Sequence, residues 1–532
     1  MTVKAAAEKN AKKLSGSDEP AVPVAFKHIP LWFREVLIFT FTCLFFAYWA
    51  LIGIDPHHDG VMLIPAIRVS QGAAVFRDVF CQYGLLVPLL QGGAVAVFGA
   101  ELLVIRLLTV LFYAGSAVLL DLLWRRFLPS GISYLVPVLF SLLAPCTMAT
   151  FHSWNSVYAL FFMLGYAYCI VAYLEKTPGN KWFLFLAGIS AALTWACRMP
   201  CGVVTVLAAL MVLTGGNFFA GKQWREIFPE NLLFFAGALL IALMAGIYIY
   251  VTGGVDDFIR QNFNYVTDFV HNRGGKGSWQ FFCDSIFPFY QDGLWLFNSL
   301  FALMPVTALI LLYFSCRKGL LGGAEAMRGQ LPFIALLILG LGSWHQYYPV
   351  ACIRHLFWGG MPMIGAYILV MNKLFAGKKI LNKAVLGILV LVLVSGVFVR
   401  FTGMAIRGNI FRRSAGIVAG VRGIMVHNSE KRLTEIAVLG GNVPEAIKER
   451  GFMVLGEDSL FLAMVKECSF KDLCFYSVKS RQYPDYEKRQ LHYIAENKPM
   501  IICDREIFLP GYIIYRKSRF MGKEYIVLLP LN

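Results

Sequence analysis

The feature that most constrains this chain is a series of long apolar runs along its first 400 or so residues. A helix needs about 20 mostly apolar residues to cross a bilayer, and helices satisfy their own backbone polar groups inside it. The sequence therefore predicts eleven spans, at residues 33–54, 102–124, 132–151, 155–174, 181–198, 201–219, 231–252, 293–314, 331–347, 356–372 and 383–401.

Composition agrees with a polytopic α-helical membrane protein. Hydrophobic residues make up 58% of the chain and charged residues only 15%, whereas a soluble domain carries about 25% charged residues. The net charge of +16 could suit nucleic acid, but Lys and Arg gather in alternate segments between the spans. That distribution follows the positive-inside rule. We therefore expect the lipid bilayer as a partner and no nucleic acid.

The apolar stretch 85–99 decides the predicted orientation. It is short and contains Pro88 and a Gly92–Gly93 pair, so we interpret it as a juxtamembrane helix. Counting it as a span would place the later basic segments on the wrong faces. The pattern predicts a bacterial inner-membrane protein with a cytoplasmic tail (1–32), a transmembrane module (33–401) with outer loops 55–101 and 253–292, and an outer C-terminal domain (402–532). No cleavable signal is evident at the polar, basic start.

The last 131 residues, 402–532, have the pattern of a small soluble domain. Short β-rich runs such as PMIICD alternate with helical patterns such as VPEAIKERG, which predicts an α/β fold. Cys468 and Cys474 could form a disulfide outside the cytoplasm, but their spacing alone leaves this open.

The stretch IDPHHDGVM, residues 54–62, places four polar residues directly behind the first span. Asp is a favoured helix cap and Pro a favoured first helical residue, so Asp55 is predicted to cap a short helix. Capping does not explain His57, His58 or Asp59, which could be hydrated, bind a metal or act in catalysis. Adjacent helical side chains point about 100° apart, so the two histidines would not converge easily on a metal ion. A divalent metal is not required, but it is left open.

Further polar residues gather at the same predicted rim of the bundle, where a partly desolvated group can have a tuned pKa. The aromatic belt and snorkelling are the alternative explanations for the aromatic and basic members. Arg354 and His355 head a span, where a helix N-terminus favours an anion. The candidates are Arg77, Asp78, Tyr83, Arg198, His345, Arg354 and His355, with His152 and Asn155 beside them.

This arrangement resembles the GT-C glycosyltransferase superfamily, and in particular the bacterial members that use polyprenyl-phosphate sugars. The resemblance rests on the acidic loop after the first span, the continuation FRDVFCQYG, the apolar juxtamembrane helix, the many spans and the C-terminal domain. Motif-level likeness covers about residues 54–124. Family members often carry Asp-Glu where this chain has His58-Asp59, which leaves Asp59 as the matching carboxylate.

The resemblance implies an inverting transfer from a polyprenyl-phosphate sugar to a hydroxyl of a glycan, glycolipid or protein acceptor. A phosphate leaves as an anion, so the reaction needs a base for the hydroxyl and positive groups for the phosphate. We predict Asp59 as the base and no cofactor beyond the lipid-phosphate-sugar co-substrate. The predicted substrate- and donor-binding residues are His58, Arg77, Asp78, Tyr83, Arg198, His345, Arg354 and His355.

Two other classes of function are considered. A lipid or solute transporter is disfavoured because few ionisable residues lie in mid-span and no internal repeat is evident. A lipid-linked glycan polymerase or ligase would not be expected to place its polar cluster directly after the first span. Within the resemblance, the oligosaccharyltransferase branch is disfavoured: the tail has no WWD-type stretch, and Asp256-Asp257 is the one candidate metal-binding pair.

Overall fold

The computed structural model describes residues 30–148, 150–175, 180–265, 267, 295–347, 353–375, 414–415, 420–426, 450–464, 483, 485–520 and 523–531. These residues are mainly helical. The principal helices are α1 Leu31–Ala50, α2 His58–Ser70, α3 Leu86–Phe98, α4 Leu102–Trp124, α5 Leu135–Thr147, α6 Asn155–Glu175, α7 Trp182–Cys197, α8 Met199–Leu210, α9 Trp224–Val251, α10 Trp295–Leu321, α11 Gly323–Ser343, α12 Ile353–Gly360 and α13 Ile364–Phe375.

Eight helices among the described residues are long and apolar enough to cross a membrane. Two predicted spans take a different form. The span at 181–198 becomes α7, a helix of 16 residues. The span at 356–372 becomes α12, a 3₁₀ turn at Met361–Met363, and α13. Pro362 supplies no backbone N–H, which explains the break there. The span at 383–401 lies outside the described residues, and 85–99 forms the short helix α3 as predicted.

The bundle packs around α6. Within an 18-residue apolar stretch of each helix, 72% of α6 is buried, against 22% of α9. Helices α7 and α9 approach closely through two glycines. A Cβ on Gly188 would lie 1.9 Å from the Phe234 carbonyl oxygen, and one on Gly237 would lie 2.1 Å from that of Phe185. Small residues at such crossings are typical of membrane helices, because packing holds the helices together there.

The C-terminal part forms a small sheet with helices, as the sequence predicted. Strands β1 Ser414–Ala415 and β2 Met425–Val426 form a separate two-stranded sheet. Strands β3 Phe452–Leu455, β4 Met500–Cys503, β5 Tyr512–Phe520 and β6 Lys523–Pro530 form the main sheet in the order β3-β4-β6-β5. Strands β3 and β4 are parallel, and the other pairs are antiparallel. The chain between β3 and β4 includes helices Leu460–Met464 and Tyr486–Asn497. Cys468 and Cys474 lie outside the described residues.

Backbone contacts fix this C-terminal part to the end of α1. The Met425 N–H donates to the Leu51 carbonyl at 2.6 Å, and the Gly53 N–H donates to the Met425 carbonyl at 2.9 Å. The Leu102 N–H at the start of α4 donates to the Gly420 carbonyl at 2.8 Å. The loop between α1 and α2 is therefore held between the bundle and the C-terminal residues.

Candidate active site

Asp55 caps the turn that leads into the short helix α2, which begins at His58, two residues later than the sequence pattern predicted. Its Oδ1 accepts hydrogen bonds from the backbone N–H of His57 at 3.1 Å and of His58 at 3.0 Å. These two donors would otherwise have no partner within the helix, so the carboxylate stabilises its first turn. The cap uses one oxygen only, and the other oxygen faces the side chain of His58.

Asp55, His58 and Arg354 form a chain of hydrogen bonds. Asp55 Oδ2 lies 2.7 Å from His58 Nδ1, and Arg354 Nη1 lies 3.0 Å from His58 Nε2. A guanidinium can only donate, so Nε2 accepts and the proton of the neutral ring sits on Nδ1. The carboxylate therefore fixes the tautomer of His58, and the basic nitrogen points towards Arg354.

Aromatic and polar side chains surround this chain of bonds. The His152 ring lies 4.9 Å from that of His58 between centroids, and Arg354 Nη1 is 3.5 Å from His152 Nε2. Trp154 packs between His58 and Tyr83, with ring separations of 5.3 and 5.4 Å. The structure thus gathers residues that are far apart in sequence into one polar cluster.

Arg198 continues this cluster into the bundle. Its guanidinium lies 5.8 Å from the centre of the Tyr83 ring. It donates to Ser156 Oγ and, at 3.3 Å, to Gln346 Oε1. Arg198 sits in extended backbone between α7 and α8, where the chain turns back into the bundle. The cluster therefore contains two guanidinium groups, both in contact with neutral polar partners.

Asp59 lies behind the cluster and is only 1% exposed. Its Oδ2 accepts from Arg106 Nη2 at 2.8 Å and from the Asp55 N–H at 2.7 Å. Arg106 is completely buried and also donates to the carbonyls of Ala50 at 2.8 Å and Gly53 at 2.9 Å. Asp59 Oδ1 has no hydrogen-bond partner among the described residues. The pair joins α2 to α4 and to the end of α1.

The two carboxyl groups have opposite electrostatic environments. Burial by itself would raise the pKa of Asp55, but the hydrogen bond from His58 outweighs burial and lowers it. Complete burial raises the pKa of Asp59 to about 7, although the Arg106 guanidinium acts against the shift. Burial, together with the nearby positive charge of Arg354, lowers the pKa of His152 well below its usual value. His152 is therefore neutral at pH 7.

A segment of the C-terminal domain packs directly on this loop. His57 Nδ1 lies 3.0 Å from the Glu457 carbonyl oxygen, and the Leu460 N–H donates to the Pro56 carbonyl at 3.2 Å. A Cβ on Gly60 would lie 2.3 Å from the Leu460 backbone nitrogen. Glycine is therefore required for the segment 457–460 to approach α2 this closely.

Asp55, His58 and His152 are the group within the described residues whose ligand atoms could converge on a metal, all lying within 4.8 Å of one another. The arrangement fits a metal poorly. Arg354 Nη1 faces Nε2 of both histidines, so a divalent cation would have to displace a like charge. In the observed geometry the guanidinium supplies the positive charge.

Four predicted site residues lie elsewhere or contact other groups. Arg77 and Asp78 pair with each other at 2.7–2.8 Å, at the far end of α2. His345 Nδ1 bonds the Gly342 carbonyl at 2.8 Å, and the His355 ring packs on Trp358 at 5.5 Å. The sequence analysis missed Arg106, although a charged residue inside an apolar span is itself a functional signal.

Solved structures with a similar fold are known, whereas no protein-family model and no curated protein matches the chain. The chain aligns with ArnT from Cupriavidus metallidurans bound to undecaprenyl phosphate at a TM-score of 0.53 and 12% identity, over 93% of this chain and 98% of that one. It also aligns with the Archaeoglobus fulgidus oligosaccharyltransferase tethered with an acceptor peptide, at 0.51 and 11%, over 89% and 69%.

Both similar structures are GT-C glycosyltransferases. The chain is therefore a polytopic helical membrane protein with a small C-terminal sheet domain and a GT-C-like fold. More particularly, it matches ArnT over nearly the whole length of both chains. The predicted fold class is confirmed; at these identities the likeness concerns the fold, and the chemistry has to be argued from the site.

Proposed function

We propose that the protein transfers a sugar from a polyprenyl-phosphate donor to an acceptor hydroxyl, with inversion, at the outer face of a bacterial inner membrane. The observation that carries the proposal is the bond between Arg354 and His58 Nε2. The bond supports the proposal because a guanidinium can bind a phosphate and the imidazole nitrogen beside it can accept a proton. ArnT, which has a similar fold, was solved with undecaprenyl phosphate bound.

The reaction follows from these positions. The acceptor oxygen attacks the anomeric carbon while the bond from that carbon to the phosphate oxygen breaks. The hydroxyl proton passes to His58 Nε2, and polyprenyl phosphate leaves with the bonding electron pair. Arg354 turns from His58 to the phosphate, which frees Nε2 at the moment the donor binds. Asp55 stabilises the imidazolium that forms.

The sequence analysis predicted Asp59 as the base, but its contacts in the structure suggest a different role. Its Oδ2 is occupied by Arg106 and by the Asp55 N–H, and it is almost completely buried. A general base has to reach the proton that it removes. We therefore assign proton transfer to His58, and to Asp59 the positioning of the loop through Arg106.

The two assignments can be separated with purified protein in lipid nanodiscs. A radiolabelled undecaprenyl-phosphate sugar serves as donor, a bacterial lipid extract serves as acceptor, and released undecaprenyl phosphate is measured. His58→Gln should lower turnover by about 100-fold or more, within the usual range for a positioned base. Asp59→Asn should retain more activity, because the amide can still accept from Arg106. The matched control is His492→Gln, on an exposed histidine that pairs with Glu496.

The outcomes also distinguish the other classes of function. A transporter would move the donor without releasing undecaprenyl phosphate, and a polymerase would extend a lipid-linked chain. If His58→Gln were fully active while Asp59→Asn was inactive, Asp59 would be the base after all. If both variants retained full turnover, the loop would not carry the chemistry and the proposal would fail.

A further inference from the structure

A large cavity lies at the far end of α2 from His58. Its volume is about 940 Å³, and it is bounded by the C-terminal ends of α2 and α3 and by residues of the C-terminal domain. Pockets for small ligands typically span about 300–1,000 Å³. Arg68 and Phe98 line it from the two helices, and Leu462 lines it from the C-terminal domain. The cluster around His58 does not contribute to this cavity.

Three arginines and two carboxylates line the cavity, which leaves one net positive charge. Arg77 holds Asp78 at 2.7 Å, and Arg422 lies 3.5 Å from Glu101. Both guanidinium groups are more than half exposed, and the hydrogen bond from Arg77 lowers the pKa of Asp78. The two carboxylates orient the arginines, while the exposed N–H groups remain able to bind an anion.

The cavity also has an apolar side, which lies close to the start of a membrane-spanning helix. Ile64 and Ile67 contribute to its wall, and Phe98 and Val97, at the end of the juxtamembrane helix, are 75% and 73% exposed. Directly beyond them, Leu102 begins the membrane-spanning helix α4. A ligand here would have charge on one side and hydrocarbon on the other. An anionic amphiphile has this combination, and a soluble metabolite does not.

We propose that this cavity binds the anionic headgroup of the acceptor, a lipid-linked glycan that carries phosphate or carboxylate. The inference rests on the proposed function and extends it to the acceptor. Arg68 is ten residues along α2 from His58, which corresponds to about 15 Å along a helix. The charged group and the reacting hydroxyl therefore lie on different rings of an extended glycan.

The test measures binding of a phosphorylated disaccharide lipid to the full-length protein in phosphatidylcholine nanodiscs. The double variant Arg68→Gln and Arg422→Gln should weaken binding by about tenfold or more, the usual effect of losing charged hydrogen bonds. Arg516→Gln, an exposed arginine of strand β5, is the matched control and should bind normally. The same lipid without phosphate should bind weakly to all forms.

Three further binding measurements test which kind of anionic ligand the cavity holds and whether it is separate from the proposed donor site. Equal binding of phosphatidylglycerol would make this a general anionic-lipid site and overturn the acceptor assignment. Equally strong binding of soluble glucose 6-phosphate would overturn the inference that the ligand is an amphiphile. Undecaprenyl phosphate should bind the double variant normally but bind Arg354→Gln poorly. Loss of that second effect counts against the proposed function, whereas unchanged glycolipid binding in the double variant counts against this cavity alone.

Discussion

Two clusters at opposite ends of α4 contain the same charges and use them differently. The closed cluster consists of Arg34, Glu35, Asp121 and Arg125. Arg34 donates to both oxygens of Asp121 and, at 2.9 Å, to Ser133 Oγ. Arg125 lies 2.9 Å from Glu35 and 3.8 Å from Asp121. Every arginine of the closed cluster is therefore paired with a carboxylate.

The open cluster consists of Asp55, Asp59, Arg106 and Arg354, again two arginines and two carboxylates. Arg106 is paired with Asp59. Arg354 instead donates to the neutral ring of His58. A guanidinium held by a neutral acceptor keeps more of its charge available for an incoming anion than one held by a carboxylate. The comparison indicates that the closed cluster joins helices, while the open cluster joins helices and leaves one cation available.

The largest difference in turnover between the two clusters is expected from single arginine-to-glutamine substitutions. Arg106→Gln leaves the buried Asp59 without its cation, which typically costs about 3–5 kcal/mol of stability. Arg34→Gln should cost less, because Arg125 remains 3.8 Å from Asp121. Arg106→Gln should also lower turnover per folded molecule by about 100-fold, because the loop carrying His58 loses its anchor. Arg34→Gln should leave turnover per folded molecule unchanged. Thermal unfolding in detergent and turnover normalised to the monodisperse fraction measure the two effects.

Equal turnover losses in both variants would remove the functional distinction between the clusters. A loss confined to Arg34→Gln would reverse it. The unfolding midpoint keeps the comparison interpretable, because a variant that merely unfolds loses protein and not turnover per folded molecule.

A smaller effect is expected when a whole ion pair is replaced by apolar residues. Such replacements are often neutral or stabilising by about 1–4 kcal/mol, because the desolvation cost disappears with the charges. Arg34→Met with Asp121→Leu should therefore fold at least as stably as the parent protein and keep its turnover. Arg106→Met with Asp59→Leu should fold, but should lose turnover because Asp59 Oδ2 no longer accepts from the Asp55 N–H. Unfolding midpoints and donor turnover of the two double variants test this.

The lengths of the membrane-spanning helices are the part of the fold that the sequence predicts most directly. The predicted span 102–124 coincides with α4, and 155–174 differs from α6 by one residue. Bilayer thickness sets such lengths, so hydropathy reports them directly. The break between α12 and α13 depends on Pro362 and on packing in the bundle. Mean hydropathy over about 20 residues does not detect a break of this kind.

Within the site, the sequence predicted only what local chemistry determines. The hydrogen bonds from the start of α2 to Asp55 follow from its neighbours in sequence, although the helix begins two residues later than predicted. The bond between His58 and Arg354 joins residues 296 positions apart, and Arg106 reaches Asp59 across 47 positions. Their positions next to predicted spans placed His58, Asp59 and Arg354 at one rim, but the choice of hydrogen-bond partner depends on how the helices pack. For this reason the sequence analysis predicted Asp59 as the base, whereas we propose His58.

The contact between Gly60 and the C-terminal domain should matter less than the ion pairs. In Gly60→Ala the new methyl group would meet the Leu460 backbone, so segment 457–460 has to move away from the loop. Displacement of a catalytic group by about 1 Å can lower turnover by up to about 100-fold, and we expect about tenfold here. Gly93→Ala is the control, since its Cβ would meet nothing within 4 Å. Turnover and unfolding midpoints of both variants are compared, and equal turnover would show that the segment does not position the loop.

The smallest effect, less than about twofold in turnover, is expected from removing divalent metals. The two carboxylates of the open cluster are already balanced by two guanidinium groups, so a bound divalent cation would add two uncompensated charges. It would also lie close to Arg354, whose Nη1 is 3.0 Å from His58 Nε2 and 3.5 Å from His152 Nε2. Turnover is measured after dialysis against EDTA and again after adding Mg²⁺, Mn²⁺ or Zn²⁺. Loss of turnover that one of these ions restores, and that Arg354→Gln does not abolish, would mean that Asp55, His58 and His152 hold a metal and that Arg354 moves aside for it.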